Sequence, residues 1–92
     1  MAEWPSWWNW DLEVSPHAFK RMAERDFSEL DLRRMLDTAQ TVDADIVPGR
    51  WRVLSRLRRR PWEIILEPDT DAQHIVVITA YPLSKGATRI SK

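Results

Sequence analysis

Residues 15–25 read Ser15-Pro16-His17-Ala18-Phe19-Lys20-Arg21-Met22-Ala23-Glu24-Arg25, and this stretch decides the fold because it predicts where the first helix begins. A serine hydroxyl can cap a helix by accepting a hydrogen bond from the first turn, and proline is favoured at the first helical position. Val14 and Phe19 have the spacing of a hydrophobic staple across that start. We therefore predict a helix over about 16–25, with an apolar side of Phe19, Met22 and Ala23.

One face of this helix carries a histidine and two arginines. His17, Arg21 and Arg25 lie four residues apart, so they project in the same direction. His17 falls in the first turn, where unpaired amides and the positive end of the helix dipole disfavour imidazolium. A neutral histidine beside fixed arginines suits proton transfer at an anion such as phosphate. The same pattern is also typical of a surface helix end with solvated charges, so both interpretations stay open.

The composition limits the class of protein. In a chain of 92 residues we expect a single domain over 1–82 and a flexible polar tail over 83–92. The absence of cysteine excludes disulfides and thiolate metal sites, and His17 and His74 lack metal-ligand spacing, so we expect no metal and no cofactor. The sequence shows no membrane-spanning segment and no secretory signal, so we expect a cytoplasmic protein without a membrane partner.

The residues after the first helix predict a second helix and then strands. Ser28 and Asp31 have capping-box spacing, and an apolar helical stripe follows at Leu32, Met35, Leu36 and Ala39. From Val42 onward the period changes to two. It predicts strands at about 46–47, 51–57, 62–66 and 74–81, with a two-residue turn at Arg59-Arg60. The sequence therefore predicts an α+β fold with an antiparallel meander.

The first fourteen residues form an arm rich in tryptophan: Trp4, Trp7, Trp8 and Trp10. From Trp8 to Val14 apolar and polar residues alternate, as in a half-buried strand. Exposed tryptophan is costly, so we expect these rings either to pack in the core or to contact a partner. A partner at this arm would be a cognate protein or a second copy of the chain.

The charges are unevenly spread although the formal net charge is zero. Six arginines crowd one segment: Arg50, Arg52, Arg56, Arg58, Arg59 and Arg60. Pairing of the predicted strands sets Arg56 opposite Glu63 and Arg52 opposite Glu67, which favours ordinary cross-strand ion pairs. The other arginines have no such partner, and guanidinium groups match phosphate with bidentate hydrogen bonds. They indicate an anionic partner, either a nucleic acid or an acidic protein.

These residues resemble a small bacterial family of unknown function. Its members read S-x-H-A-x-x-R-M-x-x-R, then a second helix, then strands that end in V-x-T-x-Y. The matching residues are Ser15-Pro16-His17-Ala18, Arg21-Met22, Arg25 and Val77-Ile78-Thr79-Ala80-Tyr81, and Gly49-Arg50-Trp51 and Arg60-Pro61-Trp62-Glu63 also look typical. The family is grouped with RelE-like and BrnT-like toxins and other small metal-independent ribonucleases. The resemblance implies two helices packed on a twisted antiparallel sheet of about four strands, the RelE/BrnT-like arrangement.

The resemblance also implies roles in RNA cleavage. His17 would be the general acid or base, and Arg21 and Arg25 would hold phosphate. The implied catalytic set also includes Arg56, Thr79 and Tyr81, and the implied substrate-binding set is Arg50, Arg52 and Arg58. Two departures are that Asp26 stands where the family usually has glycine, and that the chain is neutral whereas RelE-like toxins are strongly basic.

The sequence thus leads to two hypotheses from different classes. The first is a toxin-like, metal-independent endoribonuclease that binds RNA in the bacterial cytoplasm, with His17 as general acid or base and arginines on the scissile phosphate. The alternative is a non-catalytic protein-interaction module. It would be a toxin–antitoxin partner or a homodimer that associates through the tryptophan-rich N-terminus.

Overall fold

Two helices lie against one face of a five-stranded sheet in the computed structural model, which describes residues 4–83. The chain begins with a short 3-10 helix at Ser6–Asn9. The elements that follow are β1 (Asp11–Val14), α1 (Pro16–Arg25), α2 (Glu29–Asp37), β2 (Thr41–Ala44), β3 (Trp51–Leu57), β4 (Arg60–Asp69) and β5 (His74–Pro82). The strand order is β1-β5-β4-β3-β2. The predicted polar tail, apart from Leu83, lies outside the described residues.

The sheet is mixed and has five strands, so the predicted antiparallel sheet of about four strands, in a RelE/BrnT-like arrangement, is wrong. β1 runs parallel to β5 and pairs Leu12 with Ile75 and Val14 with Val77. The other neighbouring strands pair antiparallel. The predicted strand at Ile46–Val47 is also wrong, because the extra edge strand is β2 at Thr41–Ala44. The broader description, α+β with two helices on a sheet, agrees with the structure.

The helix starts follow the chemistry of their capping residues. Ser15 Oγ accepts a hydrogen bond from the Ala18 amide at 3.1 Å, and its hydroxyl donates to the carbonyl of Ile78 at 3.2 Å. The second bond fastens the start of α1 to β5. The predicted capping box at Ser28 and Asp31 is confirmed. The hydrogen bond from the Ser28 amide is the main cause that lowers the pKa of the Asp31 carboxyl, against the opposing effect of desolvation.

α1 ends at Asp26, which has a φ of 58° in the left-handed region. Glycine adopts this conformation at helix ends most readily, and aspartate tolerates it better than most residues with a side chain. Asp26 therefore adopts the turn that glycine would favour at this helix end.

The tryptophan arm closes one end of the core. Trp7 is buried and its ring lies 5.5 Å from that of Trp51, while Trp8 and Trp10 are partly buried against the core. Trp4 stacks on Trp8 at 5.1 Å and stays 42% exposed. Of the two predicted alternatives, packing in the core therefore holds for Trp7, Trp8 and Trp10. Only the last residues of the predicted arm strand are in β1, because the 3-10 helix occupies the stretch from Ser6 to Asn9.

A strained turn joins β3 to β4. Leu57 pairs with Arg60, so Arg58 and Arg59 are the two turn residues, one position earlier than predicted. Their φ angles are 52° and 68°, a conformation that such hairpins normally assign to asparagine and glycine. A left-handed residue that carries a Cβ costs about 1–2 kcal/mol. This one-residue difference in the turn shifts the whole pairing of β3 with β4.

The two faces of the sheet differ in what covers them. The helix-facing side carries the fully buried core residues Val53, Ile64, Leu66 and Val77. The other side, which no described helix covers, is called the open face below. Its side chains in the three central strands include Arg52, Leu54, Arg56, Glu63, Ile65, Thr79 and Tyr81. Among the described helices, none has the length and apolar character needed to cross a membrane.

Candidate active site

A buried carboxylate lies on the open face. Glu63, in the central strand β4, is 1% exposed. Its neighbour across the ladder is Tyr81 of β5, and the tyrosine hydroxyl donates a hydrogen bond to the carboxylate. Acidic side chains are almost never fully buried unless they are paired. Glu63 therefore marks the place on this surface where the chain holds an ionisable group in a fixed geometry.

A bulge in β5 brings Tyr81 to this position. Ile65 pairs with Thr79, but the next residue of β4, Leu66, pairs with Val77, so Ile78 is an extra residue in the ladder. In a regular strand Thr79 and Tyr81 would share the face of Val77. The extra residue reverses the alternation. As a result both hydroxyl groups belong to the open face.

Two arginines of β3 flank the buried carboxylate. Arg52 pairs with Ile65 and Arg56 pairs with Pro61, the residues two positions on either side of Glu63. Both are diagonal neighbours of Glu63 on the same face, at roughly 7–8 Å between Cα atoms. Thr79 lies in the same row as Arg52, because it also pairs with Ile65. The open face thus gathers four predicted site residues: Arg52, Arg56, Thr79 and Tyr81.

The guanidinium of Arg52 is held in place but retains hydrogen-bonding capacity. Its Nε lies 3.9 Å from Oδ1 of Asp45, and the side chain is 23% exposed. That distance allows charge attraction but exceeds the length of a hydrogen bond. Nε is buried without a hydrogen-bond partner within residues 4–83. A buried donor without a partner is unfavourable, so a movement of the side chain that brings this atom to an acceptor would be favoured.

Two other predicted substrate-binding residues already have acidic or carbonyl partners. Arg50 forms a salt bridge with Glu67 at 3.1 Å. Arg58 donates to the carbonyl of Asp26 at 2.9 Å and lies 3.5 Å from the carboxylate of Asp31. The predicted pairs of Arg56 with Glu63 and of Arg52 with Glu67 are wrong, because the turn at 58–59 places Leu54 opposite Glu63.

The residues of the opening helix lie on the other layer. His17 is exposed in the first turn of α1, and Arg21 pairs with Glu24 one turn along. Arg25 is half-buried, with its Nη1 buried and lacking a hydrogen bond among the described residues. Their helix packs through Ala18 and Met22 on the side of the sheet opposite to the open-face group. The structure therefore divides the predicted site into two separate sets.

The sequence pattern predicts Glu63 as the cross-strand partner of Arg56 and not as a site residue. Its signal was visible in the run Trp62-Glu63-Ile64-Ile65-Leu66, a single acid inside a strand that is otherwise apolar on both faces. Such a strand is buried on both sides, and a buried acid needs a partner. Within the described part of the chain, no group of three or more histidine, cysteine, aspartate or glutamate side chains is arranged to hold a metal ion.

Comparison with known proteins places most of this architecture in one family. A family model described as "Domain of unknown function (DUF4258)" matches residues 14–82. This range includes both helices, all strands after β1 and every residue of the open-face group. No curated protein and no solved structure matches the chain.

Proposed function

The chain belongs to the family described as Domain of unknown function (DUF4258), and we propose that it is a toxin-like, metal-independent endoribonuclease whose active site lies on the open face. The observation that carries the proposal is the buried Glu63 carboxylate, hydrogen-bonded to Tyr81. Arg52 and Arg56 flank it on the neighbouring strand. A proton acceptor, a phenol and two cations on one surface are the groups that metal-free cleavage of a phosphodiester requires.

In the proposed reaction Tyr81 acts on the ribose. Its phenolic oxygen takes the proton of the 2′-hydroxyl as the phenolic proton moves to the Glu63 carboxylate, which later releases that proton to solvent. The 2′-oxygen then bonds to the adjacent phosphorus, and the bond from phosphorus to the 5′-oxygen breaks. The leaving 5′-oxygen takes a proton from solvent. The products are a 2′,3′-cyclic phosphate and a 5′-hydroxyl end, and RNA is required because DNA has no 2′-hydroxyl.

The arginines supply the charge stabilisation. Negative charge grows on the phosphorus-bound oxygens in the transition state, and fixed cations stabilise it most where water is scarce. Arg52 suits this role because its side chain belongs to the face of Glu63 and is 23% exposed. Thr79, in the row of Arg52, can donate a further hydrogen bond. His17 is exposed on the helix layer, so in this reaction it makes no contact with the reacting atoms.

The test compares Tyr81→Phe with His17→Ala. We expect the purified wild-type chain to cleave single-stranded RNA in EDTA and to leave 2′,3′-cyclic phosphate ends. Tyr81→Phe should lower the rate by about 10²–10⁴-fold, the usual contribution of a general acid or base, whereas His17→Ala should stay within a few-fold of wild type. RNA left intact by the wild type, or a larger loss in His17→Ala than in Tyr81→Phe, would contradict the proposal. Slowed bacterial growth on expression of wild type, but not of Tyr81→Phe, would support the toxin-like part.

Exposed apolar residues beside a sheet edge favour a second candidate, a protein-interaction module. β2 is an edge strand, and Ile46 and Val47, just beyond it, are 76% and 45% exposed. Edge strands present unpaired backbone groups on which another chain can add a strand. This candidate predicts a homodimer in light scattering that Ile46→Lys converts to a monomer. A monomeric wild-type chain at high concentration would remove it.

A further inference from the structure

Arginine occupies both positions of the strained turn between β3 and β4, although its side chain disfavours that backbone conformation. Arg58 and Arg59 both have positive φ angles, at positions where asparagine and glycine fit without strain. Departures of this kind from local preference concentrate at functional sites. A contact that a side chain makes inside the protein can offset this strain.

Arg58 has such contacts and Arg59 does not. Arg58 bonds the carbonyl of Asp26 and pairs with Asp31, so it ties the hairpin to the helix layer. Arg59 and the next residue, Arg60, are exposed. Neither side chain forms a hydrogen bond or an ion pair within the part of the chain that the structure describes. Their guanidinium groups are therefore available to a ligand. For Arg59, no side-chain contact within the described residues offsets the cost of its left-handed backbone.

The turn continues the open face. Arg56, which flanks Glu63 diagonally, donates from Nη2 to the carbonyl of Arg59 at 3.4 Å. From Glu63 back to Arg60 is three residues along β4, about 10 Å at the rise of a strand. Arg60 pairs with Leu57 and alternates onto the helix-facing side with Trp62, so it is not part of this surface. We call Arg56 and Arg59 the arginine tip. It extends the cationic surface of the candidate site outward to the end of the hairpin.

We propose that the arginine tip binds the backbone phosphates of the nucleotides next to the cleaved bond. The substrate is then a single-stranded RNA several nucleotides long, since a dinucleotide would not reach the tip. This inference rests on the proposed function for the location of the cleaved bond. Arginine suits the task because its planar fork bonds two phosphate oxygens at once. Arginine bonds the carboxylates of an acidic protein in the same way, so polyglutamate is titrated beside the RNA and the two affinities distinguish the partners.

The experiment measures binding separately from cleavage. The full chain is titrated against a fluorescent single-stranded RNA of about ten nucleotides whose 2′-hydroxyl groups are methylated, so that it cannot be cut by attack of a 2′-oxygen, at several salt concentrations. Arg56→Gln and Arg59→Gly are introduced together. Arg33→Gln with Arg34→Gln is the matched control, because it also removes two exposed arginines, and these lie on α2 away from the open face. Because no cleavage is needed, the outcome does not depend on whether the proposed reaction is correct.

Loss of two phosphate contacts has a distinct signature. We expect the tip variant to bind RNA at least about tenfold more weakly than the control, and the slope of log K against log salt to fall by about 1.4. Arg59→Lys should retain the slope. Equal affinity and slope in tip variant and control would overturn the inference, as would a loss of polyglutamate binding with RNA binding unchanged.

Stability gives a second, independent readout. Arg59→Gly relieves the left-handed strain, so its melting temperature should rise by about 4–8 °C if the relief is close to the cost of one such residue. A variant that is more stable and yet binds RNA more weakly shows that the arginine is kept for binding. An unchanged or lower melting temperature would overturn the argument from strain.

Discussion

Glu63→Gln is expected to lower the rate of RNA cleavage by about 10²–10⁴-fold while the protein keeps its fold. The amide has the shape of the carboxylate, and its oxygen can still accept the hydrogen bond from Tyr81. It cannot take up the proton that Tyr81 must pass on. Single-turnover cleavage in EDTA measures the rate, and circular dichroism with thermal melting shows whether the fold is retained.

The matched control for this change is Glu67→Gln. Glu67 lies in the same strand on the same face, but it is paired with Arg50 near the surface, where its side chain is 47% exposed. Its replacement should leave the cleavage rate within a few-fold of wild type. If Glu63→Gln cleaves as fast as Glu67→Gln, Glu63 is a structural residue and the proposed proton path is wrong. If Glu63→Gln fails to fold, Tyr81→Phe still tests that path.

The second large effect concerns the core beneath the site. Ile64→Ala is expected to lower the free energy of unfolding by about 2–5 kcal/mol. Ile64 is fully buried in the central strand, opposite Val53 on one side and Ala80 on the other. Small domains have only about 5–15 kcal/mol in total, so much of the stability depends on this layer. Urea denaturation followed by fluorescence measures the change.

An exposed leucine serves as control for the core prediction. Leu30 in α2 is 60% exposed, so Leu30→Ala should change the unfolding free energy by at most about 0.5 kcal/mol. A loss below about 1 kcal/mol in Ile64→Ala would mean that the helices do not pack on this part of β4. It would also remove the distinction between a covered face and an open face on which the candidate site depends.

Local chemistry made the helices predictable. Ser15 and Ser28 were recognised as caps from the residues within a few positions of each, and the apolar stripe of α2 repeats with the helical period. The pairing of β1 with β5 was not predictable in this way. Asp11 and His74 are neighbours in the sheet but far apart in the chain, and a four-residue edge strand carries no local signal of its direction or partner.

The site was predictable only in part, because its geometry depends on register. The family resemblance implied Arg52, Arg56, Thr79 and Tyr81 as site residues. Their common face was hidden by two one-residue effects, the turn at Arg58-Arg59 and the extra residue in β5. Helical spacing led to the prediction of His17 as a site residue, although it lies on the helix layer and these side chains lie on the open face.

The bulge in β5 makes the pairing of one residue, rather than residue identity, decide which face carries the site. If Ile78 were paired as a regular strand residue, Thr79 and Tyr81 would lie beneath the helices and Ala80 would lie on the open face. Deletion of Ile78 would instead keep Val77 opposite Leu66 and Thr79 opposite Ile65, so both hydroxyl groups would stay on the open face. Two members of this family with the same motif letters can therefore present them on opposite faces, and the register of the last strand is the criterion that separates them.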